Sequence, residues 1–337
     1  MSYQSYPKVS IIIPNKDDWH FVLQMLKSLE RQTFSSFEVI IIDSSGPDRK
    51  FDKATLAKLD IDSISVHEEK DAYPGKARNI GVSLARGEFI AFMDAKTVPE
   101  KDWLLSALKQ LEDSNSDIIL GKFQSVDNKL NWLQRIIKAN TYGNLVCKSV
   151  PGSVLKKSKF NSSGGFINSV GAGEDLEWVD RLYKLKWKVT PADNITFKYL
   201  GYPLNLSSFI VKWVFYSFEN AKINILSTQK TLYFILLLIL FLYFIYSWNY
   251  LFTYGAWDDS PYFVPNLNKI IWSFIALAYI LLRSIYMPIK KKEKIAFILP
   301  INWIFIGLVG FAIDLLKIPG RLFGLWRLIF SISNFLQ

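Results

Sequence analysis

Gly87-Glu88-Phe89-Ile90-Ala91-Phe92-Met93-Asp94-Ala95-Lys96 reads as a buried strand that carries an aspartate to its C-terminal end. A short apolar run opened by a glycine and closed by charge fits a strand covered on both faces. Two positions after Asp94 stands Lys96, a cation rather than a second carboxylate.

The same alternation extends outward from this strand. Residues 9–13 are a β-branched run ended by Pro14. Asp17 and Asp18 can cap a following helix, whose apolar face is Phe21, Leu23, Met25, Leu26 and Leu29. Residues 39–42 are a second buried strand, ended by the turn composition Asp43-Ser44-Ser45-Gly46-Pro47. Residues 64–66 form a short third strand, 75–85 a helix and 88–93 the fourth strand. Residues 103–111 are helical and 117–120 extended. The pattern implies an α/β domain with a mostly parallel, Rossmann-like sheet and helices on both faces. Ligands of such sheets bind beyond the carboxyl ends of the strands, where Asp43 and Asp94 both lie.

Half of the 337 residues are hydrophobic and 15% are aromatic, and the apolar residues concentrate after residue 230. Residues 231–248 carry no charge, 270–287 carry only Arg283 and 295–316 carry only Asp314. Each approaches the ~20 residues that cross a bilayer, so three transmembrane helices are expected. Before them, residues 206–230 read as an amphipathic interfacial helix. Ile210, Trp213, Val214, Ala221 and Ile225 lie on one side, and Lys212, Glu219 and Lys222 are among the polar residues. Residues 1–8 are polar and the run 9–13 is too short for a signal peptide, which keeps residues 1–205 on the cytoplasmic side. Asp258 and Asp259 then fall outside, and Lys290, Lys291, Lys292 and Lys294 fall inside, as the positive-inside rule prefers. Lys317, Arg321 and Arg327 fit only if the last segment is re-entrant or ends in an interfacial helix. The single Cys147 excludes an internal disulfide. The net charge of +10 is assigned to anionic headgroups or phosphate-bearing substrates and not to nucleic acid.

Three further groups are candidates for chemistry. Asp43 can accept bonds from a base or ribose, or simply bond its own turn. Gly75-Lys76-Ala77-Arg78-Asn79 puts two cations and an amide at a helix start, either a diphosphate clamp or a solvated basic face. Gly171-Ala172-Gly173-Glu174-Asp175-Leu176-Glu177 places carboxylates at another helix start. One of them can be a general base, although helix N-termini favour carboxylates in any case.

The order strand–Pro14, strand–Asp43, Ala77-Arg78-Asn79-Ile80-Gly81, strand–Asp94, Gly164-Gly165-Phe166 and Glu174-Asp175 resembles the family 2 glycosyltransferases of the GT-A fold, over roughly residues 7–205. The resemblance implies transfer of a sugar from a nucleotide sugar with inversion at the anomeric carbon. It implies Asp175 as general base with Glu174 beside it. Pro14, Asp43, Lys76, Arg78, Asn79 and Asp94 fall on the donor side, and Gly165 and Phe166 on the acceptor side. The family's usual Asp-x-Asp has Lys96 at its second carboxylate. A histidine expected after the Glu-Asp helix is missing, with Lys198 about where it would stand. Lysine cannot ligate a divalent cation but can neutralise a diphosphate. The reading is therefore donor binding by Lys96, Lys198 and Arg78 without a metal cofactor, with Mg²⁺ or Mn²⁺ on Asp94 as the alternative. The Gln-x-x-Arg-Trp of processive synthases is absent from residues 176–230, which favours single addition. The expected protein is a membrane enzyme acting on a polyprenyl phosphate or lipid-linked glycan. Its rival is an inactive GT-A domain serving as a membrane scaffold.

Overall fold

A computed structural model describes residues 6–46, 53–125, 130–223, 227–246, 261, 264, 266–324 and 326. The chain divides into two compact units, residues 1–131 with 144–204, and residues 132–143 with 205–337.

The first unit begins β1 (Val9–Asn15), α1 (Trp19–Leu29), β2 (Phe37–Asp43), α2 (Lys53–Leu56), β3 (Ile64–Glu68), α3 (Pro74–Leu84), β4 (Phe89–Phe92), β5 (Thr97–Pro99), α4 (Trp103–Asp113) and β6 (Ile118–Ser125). The chain then gives α5 (Trp132–Asn140) to the second unit. It returns as β7 (Cys147–Lys156), α6 (Lys157–Ser162), α7 (Glu174–Lys184), β8 (Val189–Pro191) and β9 (Phe197–Tyr199). The strand order is β3-β2-β1-β4-β7-β6-β9-β5, with β8 beside β6. β1 to β4 are mutually parallel where they pair, but β7 runs antiparallel to both β4 and β6, and β5 antiparallel to β9. The sheet is therefore mixed, where the sequence led us to expect a largely parallel one. Apolar runs mark strands but carry no sign of their direction.

Both faces of the central strands are covered. Val9, Ile11 and Ile13, with Val39, Ile41, Phe89 and Ala91, pack on one side against α1 and α4 through Val22, Met25, Leu26, Trp103 and Leu104. Ile12, Ile40, Ile42, Ile90 and Phe92 face the other way, onto Ala77, Val82, Phe160, Trp178 and Leu182. This is the two-residue alternation of a strand. Each such side chain contributes ~1.5–3 kcal/mol by burial. Asp18 does stand at the N-cap of α1, but its side chain makes no capping bond. Its carboxylate is used elsewhere, as described below.

The second unit holds α5, α8 (Leu206–Ala221), α9 (Ser227–Tyr246), α10 (Leu267–Leu281), a π-helical turn (Leu282–Tyr286), α11 (Met287–Lys290), α12 (Ile295–Ile298) and α13 (Asn302–Leu316). Asn205 and Ser208 cap α8 reciprocally, each side chain bonding the other's backbone N–H at 2.9 and 3.3 Å. Two helical stretches are long and apolar enough to cross a membrane, 24 residues from Leu267 to Lys290 and 23 from Asn302 to Gly324. The expected span 295–316 is not one helix. α12 stops at Ile298, Pro300 follows without an amide hydrogen to offer, and a new helix begins at Asn302. The expected span 231–248 falls on α9, whose apolar stretch among the described residues is Phe234–Tyr246. Residues 247 and 248, Asp258, Asp259 and Arg327 lie outside the described residues. Inside this unit Lys138 of α5 meets Glu293 at 2.9 Å, their side chains 1% and 5% exposed. Asn140 donates to the Ile306 carbonyl at 2.9 Å. Ile136, Ala139, Ile298 and Ile306 form an apolar cluster around the junction of α5, α12 and α13.

Candidate functional site

Arg78 is the centre of the polar cluster at the strand ends. It lies on the first turns of α3, which opens with Pro74 at its first position, where a missing N–H costs nothing. Gly75 lets that turn approach the loop before α7. A Cβ there would collide with the Ile167 carbonyl and press within 3.2 Å of Glu174 and Phe166 side-chain atoms. The Arg78 side chain, 3% exposed, donates from Nη1 to Glu174 Oε1 at 2.6 Å and from Nη2 to Asp94 Oδ1 at 2.7 Å. Its guanidinium lies 5.3 Å from the centre of the Phe166 ring. Its Nε is buried and has no hydrogen-bond partner among the described residues.

Glu174 and Asp175 open α7. Gly173 precedes them with φ +86°, a left-handed conformation that glycine adopts without strain. The Leu176 N–H donates to Asp175 Oδ1 at 2.8 Å. Burial pushes both carboxyls above the ordinary carboxylate range, and the nearby Arg78 pulls each only partly back. Burial works against the charge of Arg78, and Asp94 and Glu174 more than restore it, raising its pKa further.

Asp43 ends β2, in register with Asn15 at the end of β1. Its Oδ1 accepts from Asn15 Nδ2 at 2.9 Å and from the Ser45 N–H and hydroxyl at 3.1 and 2.6 Å. Its Oδ2 accepts from Trp19 Nε1 at 2.9 Å. The turn bonding and the strand-end position thus coexist. The Oδ1 of buried Asn15 has no hydrogen-bond partner among the described residues.

The remaining predicted residues divide. Pro14 lies within β1, which continues to Asn15. Lys76 pairs with Glu69 at 2.6 Å, Lys96 with Asp18 at 2.9 Å and Lys198 with Glu100 at 3.0 Å. Asn79 clamps the backbone of Phe166, accepting from its N–H at 2.9 Å and donating to its carbonyl at 2.8 Å. Gly165 has φ +69°, and a Cβ there would lie 2.8 Å from Asn79 Oδ1. The Phe166 ring corrects an expectation. It was placed on the acceptor side, yet it is 4% exposed and packs at 4.6 Å on Trp178 and 5.3 Å on Phe92. Its contribution is a floor beneath Arg78, since the loop between α6 and α7 turns this ring into the core against Trp178 and Phe92. Asn15, Trp19 and Glu100 escaped the sequence reading, which took Asp18 only for a helix cap. Asn15 and Trp19 flank the strand end opposite Asp43, and that adjacency was the available signal.

The fit of a divalent metal can be judged from these contacts. Asp94 Oδ1 is taken by Arg78. Position 96 offers an ammonium held by Asp18. Among the described residues no group of three His, Cys, Asp or Glu side chains could hold a metal ion. The residues present do not fit one.

Residues 10–172 match the family described as Glycosyl transferase family 2. A protein of Rickettsia bellii, "Uncharacterized glycosyltransferase", is 26% identical over 248 residues, which are 66% of this chain and 35% of that one. The "Poly(ribitol-phosphate) beta-N-acetylglucosaminyltransferase TarS" of Staphylococcus aureus is 29% identical over 126 residues, 36% of this chain and 22% of that one. A crystal structure of S. aureus TarS 1-349 in complex with UDP-GlcNAc superposes with a TM-score of 0.48 at 19% identity, covering 65% of this chain and 68% of that one. The chain spans about a third of the length of the Rickettsia relatives, 29% and 35%.

Proposed function

We propose, from the match of residues 10–172 to glycosyltransferase family 2, an inverting enzyme that moves a sugar from a nucleotide-sugar donor to a membrane-associated acceptor, a polyprenyl phosphate or lipid-linked glycan. The observation that carries the reading is Arg78 bonded at once to Glu174 and Asp94. It ties the carboxylates of α7 to the end of β4, at the edge where open α/β sheets bind ligands.

In this reading Asp175 takes the proton of the acceptor hydroxyl as that oxygen attacks the anomeric carbon and the nucleoside diphosphate leaves. A carboxyl pushed upward by burial is a stronger base than a solvated one, closer to the pH at which it works. Glu174, neutralised by Arg78, keeps α7 in place beside it. Asp43 and Asn15 face the nucleoside: Oδ2 of Asp43 receives one protein bond, and Asn15 Oδ1 is an acceptor ready for a base N–H. Membrane attachment rests on the two long apolar helices, of which only 6% and 22% is buried within the protein. Such surface needs cover from hydrocarbon. Some of their polar groups find partners inside the protein: Arg283 forms an ion pair with Asp314 at 3.0 Å and donates from Nη2 to the Gly310 carbonyl at 2.8 Å, and Tyr279 donates to Asp314 at 2.9 Å. The lysines at 290–294 then mark the cytoplasmic side, with the sheet unit also cytoplasmic.

The test is a panel of nucleotide sugars, UDP-GlcNAc among them, scored by the melting temperature of the purified full chain and by transfer of labelled sugar into a lipid extract. One donor should stabilise and be consumed. Asp175→Asn should lower turnover by ~10²–10⁴ with donor affinity kept. If no donor stabilises or transfers, the reading fails.

A further inference from the structure

Resting on the nucleotide-sugar reading, we infer that Lys96, oriented by Asp18, supplies the charge that holds the donor diphosphate, in place of a divalent cation. Asp18 is a positioning residue in this scheme, and Lys96 is the group that touches the phosphates.

Four observations converge. First, Asp94, Glu174 and Asp175 gather around Arg78, a concentration of negative charge that repels a diphosphate unless a cation stands between. Second, Arg78 is a poor partner for an incoming diphosphate, since Nη1 and Nη2 each serve a carboxylate and the whole side chain, the unpartnered Nε included, is buried at 3% exposure. Third, Lys96 is two residues beyond Asp94, and its side chain is 39% exposed at the strand ends. An ammonium has three donors, and Asp18 accounts for one contact at 2.9 Å. The Phe21 ring, 5.8 Å away, flanks it and narrows its range of directions. Fourth, burial and then the charges of Asp94 and Asp18 raise the pKa of the Tyr199 hydroxyl, so both carboxylates act on the strand that pairs with the one beginning just after Lys96. A metal would have to compete with Arg78 for Asp94 and with the Lys96 ammonium for Asp18.

The backbone around Lys96 is fixed as well. The Leu200 N–H donates to the Lys96 carbonyl at 3.0 Å, and Thr97 bonds back to the Asp94 carbonyl through its N–H at 3.1 Å and its hydroxyl at 2.6 Å. The chain therefore presents Lys96 from a closed turn, not from a loose loop. Lys198 and Lys76 are paired to Glu100 and Glu69, neither of which belongs to the Arg78 cluster.

The experiment measures binding of UDP, UMP, GDP and GMP to the full-length protein by calorimetry, with excess EDTA and then with Mg²⁺ or Mn²⁺. The expected result is diphosphate binding in EDTA that the metals change by less than about threefold. Lys96→Ala should weaken the diphosphate ~10–100-fold, the range of one or two charge-assisted bonds, and leave the monophosphate unchanged. Lys96→Arg should keep most of the affinity. Asp18→Asn should weaken the diphosphate less than Lys96→Ala does. The exchanged protein Asp18→Lys with Lys96→Asp re-forms the ion pair with the cation on the wrong partner, so its diphosphate affinity should stay low. Melting temperatures of all variants separate folding defects from binding defects. Binding that requires Mg²⁺ or Mn²⁺, wild-type affinity in Lys96→Ala, or recovery in the exchanged protein would each overturn the inference and leave the transferase reading standing. Absence of nucleotide binding under every condition would overturn both.

Discussion

Replacing Arg78 by methionine should loosen α3 and α7 by an amount that grows with pH. The wild-type side chain holds Glu174 at 2.6 Å and Asp94 at 2.7 Å, and Arg78 and Glu174 are 3% and 6% exposed by side chain. Methionine keeps much of the volume and the contact with the Phe166 ring, but removes both charged bonds. A buried carboxylate stripped of its partner costs ~3–5 kcal/mol. Asp94, 38% exposed, is solvated instead and adds little. Glu174 has an escape that sets the pH dependence. Burial already raises its pKa, and Arg78 is the main influence lowering it. Without Arg78 the carboxyl stays protonated to higher pH. In the mutant the folded pKa lies above the unfolded one, so the neutral form stabilises the fold at low pH and that support is lost as pH rises through the folded pKa. The assay is hydrogen exchange by mass spectrometry on peptides covering 74–84 and 174–184. A ~3 kcal/mol loss lowers protection ~150-fold at neutral pH if opening there is local, and the deficit should shrink on acidification. Adding Glu174→Leu should recover part of it. Protection within twofold of wild type at every pH, or a deficit that does not change with pH, would refute the account of Arg78 as the keystone of this cluster.

Other outcomes follow from the same contacts. The acid limb of kcat/KM should lie above the usual aspartate range, because Asp175 must be ionised to act and burial raises its pKa; a limb at or below that range would remove Asp175 from the role. Trp19→Phe deletes the donor to Asp43 Oδ2 and should weaken nucleoside diphosphate binding ~5–10-fold in calorimetry, with the melting temperature lowered by the loss of a hydrogen bond to a charged group. Gly75→Ala drives a methyl group into the Ile167 carbonyl, so α3 must move off the 166–174 segment. Turnover should fall more than stability, read as kcat against melting temperature.

Much of this was legible in the chain. The runs 9–13, 39–42 and 89–92 gave their strands away because a strand covered on both faces spares few polar positions, Ser10 being the one here. They also led to Asp43 and Asp94, since the residue that ends such a run is the first that can be polar. The parts that were not legible depend on contacts between distant residues. Arg78 reaches Glu174 across 96 positions of sequence, and Asn79 reaches Phe166 across 87. Nothing in Gly75-Lys76-Ala77-Arg78-Asn79 tells which cation turns inward and which pairs at the surface. Asp18 looked like a cap because caps are the commonest use of an aspartate before a helix. Its true partner is Lys96, 78 residues on. The apolar window 295–316 concealed a break, although Pro300 stood inside it as a warning.

The excursion of the chain between β6 and β7 has a practical consequence. α5 leaves from the middle of the sheet unit, yet it buries Ile136, Ala139 and Lys138 against Ile298, Ile306 and Glu293 of the helical unit. A fragment ending at residue 204, the natural place to trim for a soluble enzyme, would keep α5 and discard everything that covers it. Such a fragment would carry a sticky amphipathic helix with an unmatched lysine, and is expected to aggregate or demand detergent. Splicing a short flexible bridge across 132–143 would give the better-behaved catalytic piece. The second unit thus enters the sequence before the first is finished.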